Sequence, residues 1–222
     1  MKTGIWRIGG LLILGLVIGL CSQLQSFDEY RERRYWASPE RKSMYIDRAM
    51  WRNFRTGDLI FRRGYGGISD LIARYGQVGP RDVSHVGLIL RGPDSVLRVA
   101  HAISNSERGY DGVVEEDFAA FVARSVPGKG CVVRLGEASE RQQRAIKSAV
   151  RSMRLQGLRF DTRWDWEDAE SVFCSEMVVR VLSDSAGLIA RPLDRDSLRR
   201  LYLDLSALYG HGQAELIWDA GG

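Results

Sequence analysis

Two neighbouring apolar runs constrain the fold of this chain more than any other feature. The segments SHVGLIL (84–90) and SVLRVAHAI (95–103) are rich in β-branched residues, and the turn-forming residues RGPD separate them. Such a pattern predicts a β-hairpin or two adjacent strands. Together with the strand-like segments GDLIFRR (57–63) and CVVRL (131–135), the two runs predict a small, largely antiparallel sheet.

Helical patterns occupy much of the remaining sequence. The segment SERQQRAIKSAVRSMRLQG (139–157) has apolar residues at helical spacing, with Ser139 as the predicted N-cap and Gly157 as the predicted end. The other predicted helices are GGISDLIARYG (66–76), EEDFAAFVA (115–123), residues 174–185 and two pieces within 27–50. The segment AELIWDA (214–220) is interpreted as an edge strand. The predicted class is therefore α+β, with helices packed on a mainly antiparallel sheet.

The first 26 residues have the pattern of a targeting segment. Lys2 and Arg7 precede an apolar run of 14 residues, from Ile8 to Cys21. A membrane-spanning helix needs about 20 residues, so this run better suits the core of a signal peptide or an N-terminal membrane anchor. The segment IGLC also resembles a bacterial lipoprotein site, although Leu20 stands where that motif has a small residue.

The leader sets the expected domain organisation and location. Residues 1–26 are predicted as signal peptide or anchor, 27–56 as a helical extension and 57–222 as the main domain. Either form of leader places that domain outside the cytoplasm, in the bacterial cell envelope or periplasm. The expected contact with the membrane is through the N-terminal segment.

Charge and cysteine content exclude some classes of protein. The net charge is +4, from 32 basic and 28 acidic residues, and no long run of one sign is present. We therefore expect no nucleic-acid partner. Of the three cysteines, Cys21 lies in the leader, which leaves too few for a disulfide scaffold. A Cys131–Cys174 disulfide remains an alternative in an exported domain, and it would disable the Cys174 thiol.

A cysteine opens the helix predicted over 174–185. Cys174, Met177, Val178, Val181 and Leu182 follow the spacing of one buried helical stripe, which Cys174 begins. Unpaired backbone N–H groups and the positive end of the helix dipole favour a thiolate at this position. The sequence therefore suggests a nucleophilic cysteine.

Two of the three histidines lie in the predicted strands. His85 shares a strand face with Gly87 and Ile89, and His101 shares one with Val99. If the strands pair, both imidazoles could point at the helix that Cys174 opens and support a thiolate–imidazolium pair. His211 lies in a glycine-flanked loop and is interpreted as a surface residue.

Three other interpretations of these residues stay open. The cysteine and the two histidines could each fill space in the core. They could instead bind zinc with one open position. The domain could also be a catalytically silent, membrane-tethered binding module.

The segments GDLIF, VSHVGLIL, LRVAHA and FDTRWDWEDAESVFCSEMVVRVL occur in that order between Gly57 and Leu182. This ordered set resembles the permuted papain-like cysteine amidases of the YiiX/YaeF type. These form the circularly permuted branch of the NlpC-like superfamily, which is related to lecithin:retinol acyltransferase. The resemblance implies a permuted papain-like fold and a cysteine hydrolase that acts on an amide or ester, with no cofactor.

Carried over residue by residue, the resemblance implies Cys174 as nucleophile, His85 as general base and His101 as third member. Members of the YiiX type often have an acidic residue at the third position, whereas the acyltransferase relatives use histidine. Glu115 or Glu116 could substitute, but both are interpreted as first-turn residues of a helix. The N–H of Cys174 would contribute to the oxyanion hole. The expected substrates are peptidoglycan peptides or acylated lipids and proteins.

Overall fold

An antiparallel sheet forms the centre of the computed structural model, which describes residues 43–65, 67–75, 81–104, 111–192 and 194–221. The strands in these ranges are β1 (Leu59–Arg62), β2 (His85–Arg91), β3 (Leu97–Ile103), β4 (Gly112–Asp117), β5 (Gly130–Arg134), β6 (Arg159–Phe160), β7 (Ser171–Val172) and β8 (Glu215–Asp219). Six of them form the sheet, in the order β4-β3-β2-β1-β5-β8. All its neighbouring pairs are antiparallel, whereas β6 and β7 form a separate parallel pair. The predicted α+β class is confirmed, and β8 is the predicted edge strand.

The hairpin predicted from the two apolar runs is present as β2 and β3. Leu88 lies opposite Ala100, and the Gly92 N–H donates to the Val96 carbonyl over 2.9 Å in the turn. Gly87 has no room for a side chain, because a Cβ there would lie 2.5 Å from Val99 Cγ1. The close neighbour of Gly87 is therefore the adjacent strand, β3.

Helices cover both faces of the sheet. Those of the described residues are α1 (Gly67–Tyr75), α2 (Phe118–Ala123), α3 (Glu140–Leu155), α4 (Cys174–Val179), α5 (Arg195–Leu203) and α6 (Leu205–Tyr209), with a 3-10 helix at Arg48–Asn53. Ser139 caps α3 in a reciprocal capping box with Gln142, and Gly157 follows the helix with φ +66°, as predicted. None of these helices is long and apolar enough to cross a membrane. The predicted leader lies outside the described residues.

Two predicted helices differ in detail from the structure. The helix predicted over 115–123 begins only at Phe118, because pairing with β3 keeps 115–117 extended in β4. The helix predicted over 174–185 is present throughout, but Arg180–Ser185 is π-helical, with the Ala186 N–H bonded to the Val181 carbonyl. The pieces predicted within 27–50 lie mostly outside the described residues, and 43–47 is not helical.

The side chains of the sheet alternate between two apolar layers. We call the side covered by α3 and α4 the α4 face; its sheet residues include Leu59, Phe61, Val86, Leu88, Ala100 and Cys131. We call the other side, covered by α2 and residues 44–54, the α2 face; its sheet residues include Ile60, Ile89, Val99 and Val132. Each large side chain fully buried in these layers contributes about 1.5–3 kcal/mol to folding. Function must be assigned face by face, since neighbouring residues of one strand belong to different layers.

Candidate functional site

His85 and His101 meet on the α2 face. His85 Nε2 lies 2.9 Å from His101 Nδ1, with the two rings nearly perpendicular at 84°. Phe121 of α2 packs against both, with ring centroids 5.1 Å from His101 and 5.9 Å from His85. The prediction that the strands bring the two imidazoles together is confirmed.

A carboxylate extends this pair, and the sequence interpretation missed its setting. Glu116 Oε1 lies 2.9 Å from His101 Nε2, within ion-pair distance. The same oxygen pairs with the guanidinium of Arg124. Glu116 belongs to β4 and faces α2, whereas the sequence interpretation placed it in the first turn of a helix and gave it only as a substitute for the third member. Two acidic residues at the end of an apolar strand were the available signal.

Arg62 adds a second buried cation to this network. It lies opposite His85 in the β1–β2 register, and its Nη1 donates to the Arg124 carbonyl over 2.7 Å. The Arg62 guanidinium also lies over the Phe121 ring, 4.6 Å from the centroid. Two guanidiniums and one carboxylate therefore surround the histidine pair.

This environment keeps both imidazoles neutral at pH 7. Burial, then the charges of Arg62, His101 and Arg124, holds the pKa of His85 well below its usual value. Burial likewise lowers the pKa of His101, although Glu116 opposes that shift. Burial raises the pKa of Glu116, but His101 and the two arginines outweigh it, so that carboxyl titrates below its usual range. A neutral imidazole beside a fixed carboxylate is suited to accept a proton.

Cys174 is the first residue of α4, as predicted, and only 4% of it is exposed. Burial raises the pKa of its thiol, although the backbone N–H groups of Val86, Ser175 and Cys174 itself oppose this shift. Ser175 Oγ donates to the Tyr202 carbonyl over 2.5 Å, which fastens this turn to α5. Cys174 and Cys131 are both free thiols, so the alternative disulfide is absent. Burial raises the pKa of Cys131 to about 12.

The prediction that both imidazoles point at the helix of Cys174 is wrong. Cys174 packs in the layer on the α4 face, whereas His85 and His101 contact Phe121 on the α2 face. The reason is the alternation of β2, where Val86 rather than His85 faces α4. The sulfur nevertheless lies beside the N–H of Val86, the residue that follows His85 at the start of β2.

The protonation states also differ from the expected thiolate–imidazolium pair. Burial raises the pKa of the Cys174 thiol and lowers the pKa of His85. Both shifts favour a neutral thiol and a neutral imidazole in the resting protein. A charged pair would therefore form only when something stabilises the separated charges.

Three further polar or aromatic residues make contacts within the fold. Asp58 is buried, and both its oxygens accept hydrogen bonds from Arg134. His211 lies in the turn after α6, where its Nδ1 accepts a hydrogen bond from the Gln213 N–H. Trp164 packs on Phe173 directly before Cys174, with ring centroids 5.1 Å apart.

The residues proposed for the zinc alternative do not fit one metal ion. Both nitrogens of His101 already face His85 and Glu116, and Cys174 packs on the other face of the sheet. Within the described ranges, no three His, Cys, Asp or Glu side chains are grouped as metal ligands.

Comparison with known proteins supports the fold. No protein-family model and no curated protein matches the chain. A solved structure, the metalloprotein yiiX from Escherichia coli O157:H7, is similar with 21% sequence identity and a TM-score of 0.51. The match covers 75% of this chain and 91% of that one. At this identity the likeness shows a shared fold, and it is a fold of the YiiX type.

Proposed function

We propose that this protein is a cysteine hydrolase in which Cys174 is the nucleophile and His85 the general base. The observation that carries the proposal is the chain of contacts Glu116–His101–His85. It ends at the residue before Val86, whose N–H lies beside the Cys174 sulfur. The ordered motifs that resemble permuted papain-like cysteine amidases support the same assignment.

The carboxylate fixes which nitrogen of His85 can act. If His101 Nε2 carries a proton towards Glu116, then His101 Nδ1 must accept a proton from His85 Nε2. The lone pair of His85 is then on Nδ1. This nitrogen is the closer one to the main chain of His85 and Val86, near which the sulfur lies. His101 and Glu116 thus have the orienting part in the proposed mechanism.

The reaction starts from the neutral thiol and imidazole. As the Cys174 sulfur attacks the substrate carbonyl, its proton passes to His85 Nδ1 and the carbonyl oxygen becomes an oxyanion. The N–H of Cys174, in the unpaired first turn of α4, donates to that oxyanion. His85 then protonates the leaving amine or alcohol. Water hydrolyses the thioester and restores the thiol.

The opposite faces of β2 require the two groups to meet at the end of the strand. His85 is the first residue of β2 and, taken as a whole residue, is only partly buried. We propose that the thiol and the ring approach each other around this end when substrate binds. In this proposal, substrate reaches the sulfur around the same end of the strand.

The proposed substrate is an amide or ester outside the cytoplasm. The apolar leader supports export or membrane attachment, and the family resemblance supports peptidoglycan peptides or acylated lipids and proteins. Acyl transfer to an acceptor other than water would use the same thioester.

A trapped acyl group on Cys174 tests this proposal directly. We expect mass spectrometry to find an adduct on the peptide with Cys174 after incubation with ester and amide substrates. Cys174→Ala should abolish turnover, and His85→Ala should lower it at least a hundredfold. Cys131→Ala and His211→Ala are matched controls and should retain activity.

The same variants separate the alternatives. Iodoacetamide should label Cys174 faster than Cys131 at pH 7, and His85→Ala should slow that labelling. Equal labelling, together with inactivity on a broad ester and amide panel, would favour a silent binding domain. Because the similar yiiX structure is described as a metalloprotein, metal content should also be measured. Stoichiometric zinc that disappears in Cys174→Ser would overturn the hydrolase proposal.

A further inference from the structure

Residues 161–168 form a loop that leads from β6 towards β7, the strand that precedes Cys174; we call it the Trp164 loop. Asp161 at its start is 2% exposed. Its two oxygens accept hydrogen bonds from the N–H groups of Arg163 and Asp165, over 2.7 and 2.5 Å. A buried carboxylate therefore holds the residues on both sides of Trp164.

Trp164 has a backbone conformation that a bulky residue rarely adopts. Its φ is +59°, in the left-handed region that favours glycine. Its ring packs against Phe173, whose N–H and carbonyl lie at the start of α4. Strain of this kind persists only where surrounding contacts over-determine it, and such positions cluster at ligand-binding sites.

A second buried carboxylate fastens the other end of this loop to α4. Arg180 donates to the carbonyls of Asp168 and Trp166, over 2.8 and 3.4 Å. The same guanidinium lies 2.5 Å from Glu176 Oε1, and the Glu176 side chain is fully buried. Glu176 Oε2 accepts the N–H of Phe173 over 3.2 Å. One carboxylate thus joins the loop, through Arg180, to the residue before Cys174.

We propose that Glu176 is a positioning residue which, through Arg180, holds the Trp164 loop against the start of α4 as a fixed wall of the substrate site. The contacts stand independently of any chemistry, whereas the description of the wall as part of a substrate site rests on the proposed function of Cys174. Trp164 presents an apolar, flat surface. The wall therefore favours substrates with an apolar group beside the scissile carbonyl.

The test compares the hydrogen exchange of the loop in variants of the full chain. Glu176→Gln keeps an acceptor for the Phe173 N–H but loses the charge that pairs with Arg180. Arg180→Met loses the donors to both carbonyls, and Arg180→Lys restores the charge. Arg163→Met is the matched control, because Arg163 belongs to the same loop, is 80% exposed and lies 3.7 Å from Asp168.

We expect amide exchange in 162–168 to rise at least tenfold in Glu176→Gln and Arg180→Met. Arg180→Lys should recover part of the protection, and Arg163→Met should match the wild type. Unchanged exchange in both of the first two variants would overturn the proposal. So would faster exchange spread evenly over the whole chain, because that indicates general destabilisation.

A second measurement tests whether the wall affects the reactivity of the Cys174 sulfur. The rate at which N-benzyliodoacetamide alkylates Cys174, divided by the rate with iodoacetamide, should fall at least threefold in Glu176→Gln and stay constant in Arg163→Met. A constant ratio in both variants would contradict the wall. If the Trp164 loop is released in Glu176→Gln but the wild type turns over no substrate, the positioning role of Glu176 would stand. Only the hydrolase proposal would then be refuted.

Discussion

Glu115 and Glu116 are neighbours in sequence and have opposite environments. Glu116 faces α2 and contacts His101 and Arg124, whereas Glu115 faces the other side and pairs with Arg154 of α3 at the surface. The difference follows from strand alternation, which separates adjacent side chains onto different faces. The carboxylate that contacts the histidine pair therefore comes from β4, and the proposed mechanism uses it to orient His101.

This pair of glutamates offers a matched test of the orienting network. Glu116→Gln removes the charge that stabilises one His101 tautomer, so we expect kcat to fall about tenfold to a hundredfold with little change in KM. Glu115→Gln should retain wild-type kcat. Nitrogen chemical shifts of the labelled His85 ring should show mixed tautomers only in the first variant. Unchanged shifts and kcat in Glu116→Gln would refute the orienting role.

At the scale of elements, the short-range patterns predicted the parts better than their assembly. The hairpin around Gly92, the cap of α3 at Ser139 and the helix start at Cys174 follow from residues close in sequence. Which face of the sheet packs against which helix does not follow from such residues. Alternation shows that His85 and Gly87 share a face, but only long-range packing decides that this face meets α2 rather than α4.

The conformation of the Trp164 loop was not predicted from the sequence, because it depends on partners that are distant in the chain. Asp161 and Arg180 hold it by hydrogen bonds to backbone groups, which carry no side-chain signature. A positive φ at a tryptophan cannot be expected from propensity, since glycine and asparagine are the residues that favour it. The two tryptophans in DTRWDWEDAE are a visible sign of this loop in the sequence, and they do not indicate its geometry.

Trp164→Gly separates strain from contact in this loop. Glycine adopts the left-handed conformation freely, so relief of about 1–3 kcal/mol of strain should offset much of the lost ring packing. We expect a small change in Tm, together with a loss of about tenfold in kcat/KM for esters with bulky apolar acyl groups relative to acetyl esters. Trp164→Phe should keep the preference. Equal loss for both ester classes would show that the ring supports the fold without selecting substrates.

Across the whole molecule, buried titratable groups on the two faces of the sheet have opposite effects on how stability depends on pH. His85 and His101 have lowered pKa values on the α2 face. On the α4 face, burial raises the pKa of Glu176 to about 7, and Arg180 only partly offsets this. Asp161, Asp168 and Tyr202 are the other charged or titratable groups near that carboxyl. Acidification therefore lowers the free energy of unfolding through the histidines and raises it through Glu176.

Both histidines have lower pKa values in the folded chain than in the unfolded chain, so each lowers the free energy of unfolding as pH falls below the unfolded value of 6.5. Glu176 does the reverse, because its folded form takes up a proton near pH 7 and its unfolded form only near 4.5. Two histidines with lowered pKa values oppose one carboxyl with a raised pKa in this range, so the three groups together lower the free energy of unfolding as pH falls.

Urea denaturation at pH 5, 6 and 7.5 measures this balance. Wild-type protein should lose stability on acidification. Glu176→Gln should lose it more steeply, by about one further proton, because the opposing uptake is gone. His85→Gln should lose it less steeply, because one of the two destabilising protonations is removed. If the slopes of the two variants changed in the same direction, the carboxyl and the imidazole could not have the opposite shifts that their settings on the two faces require.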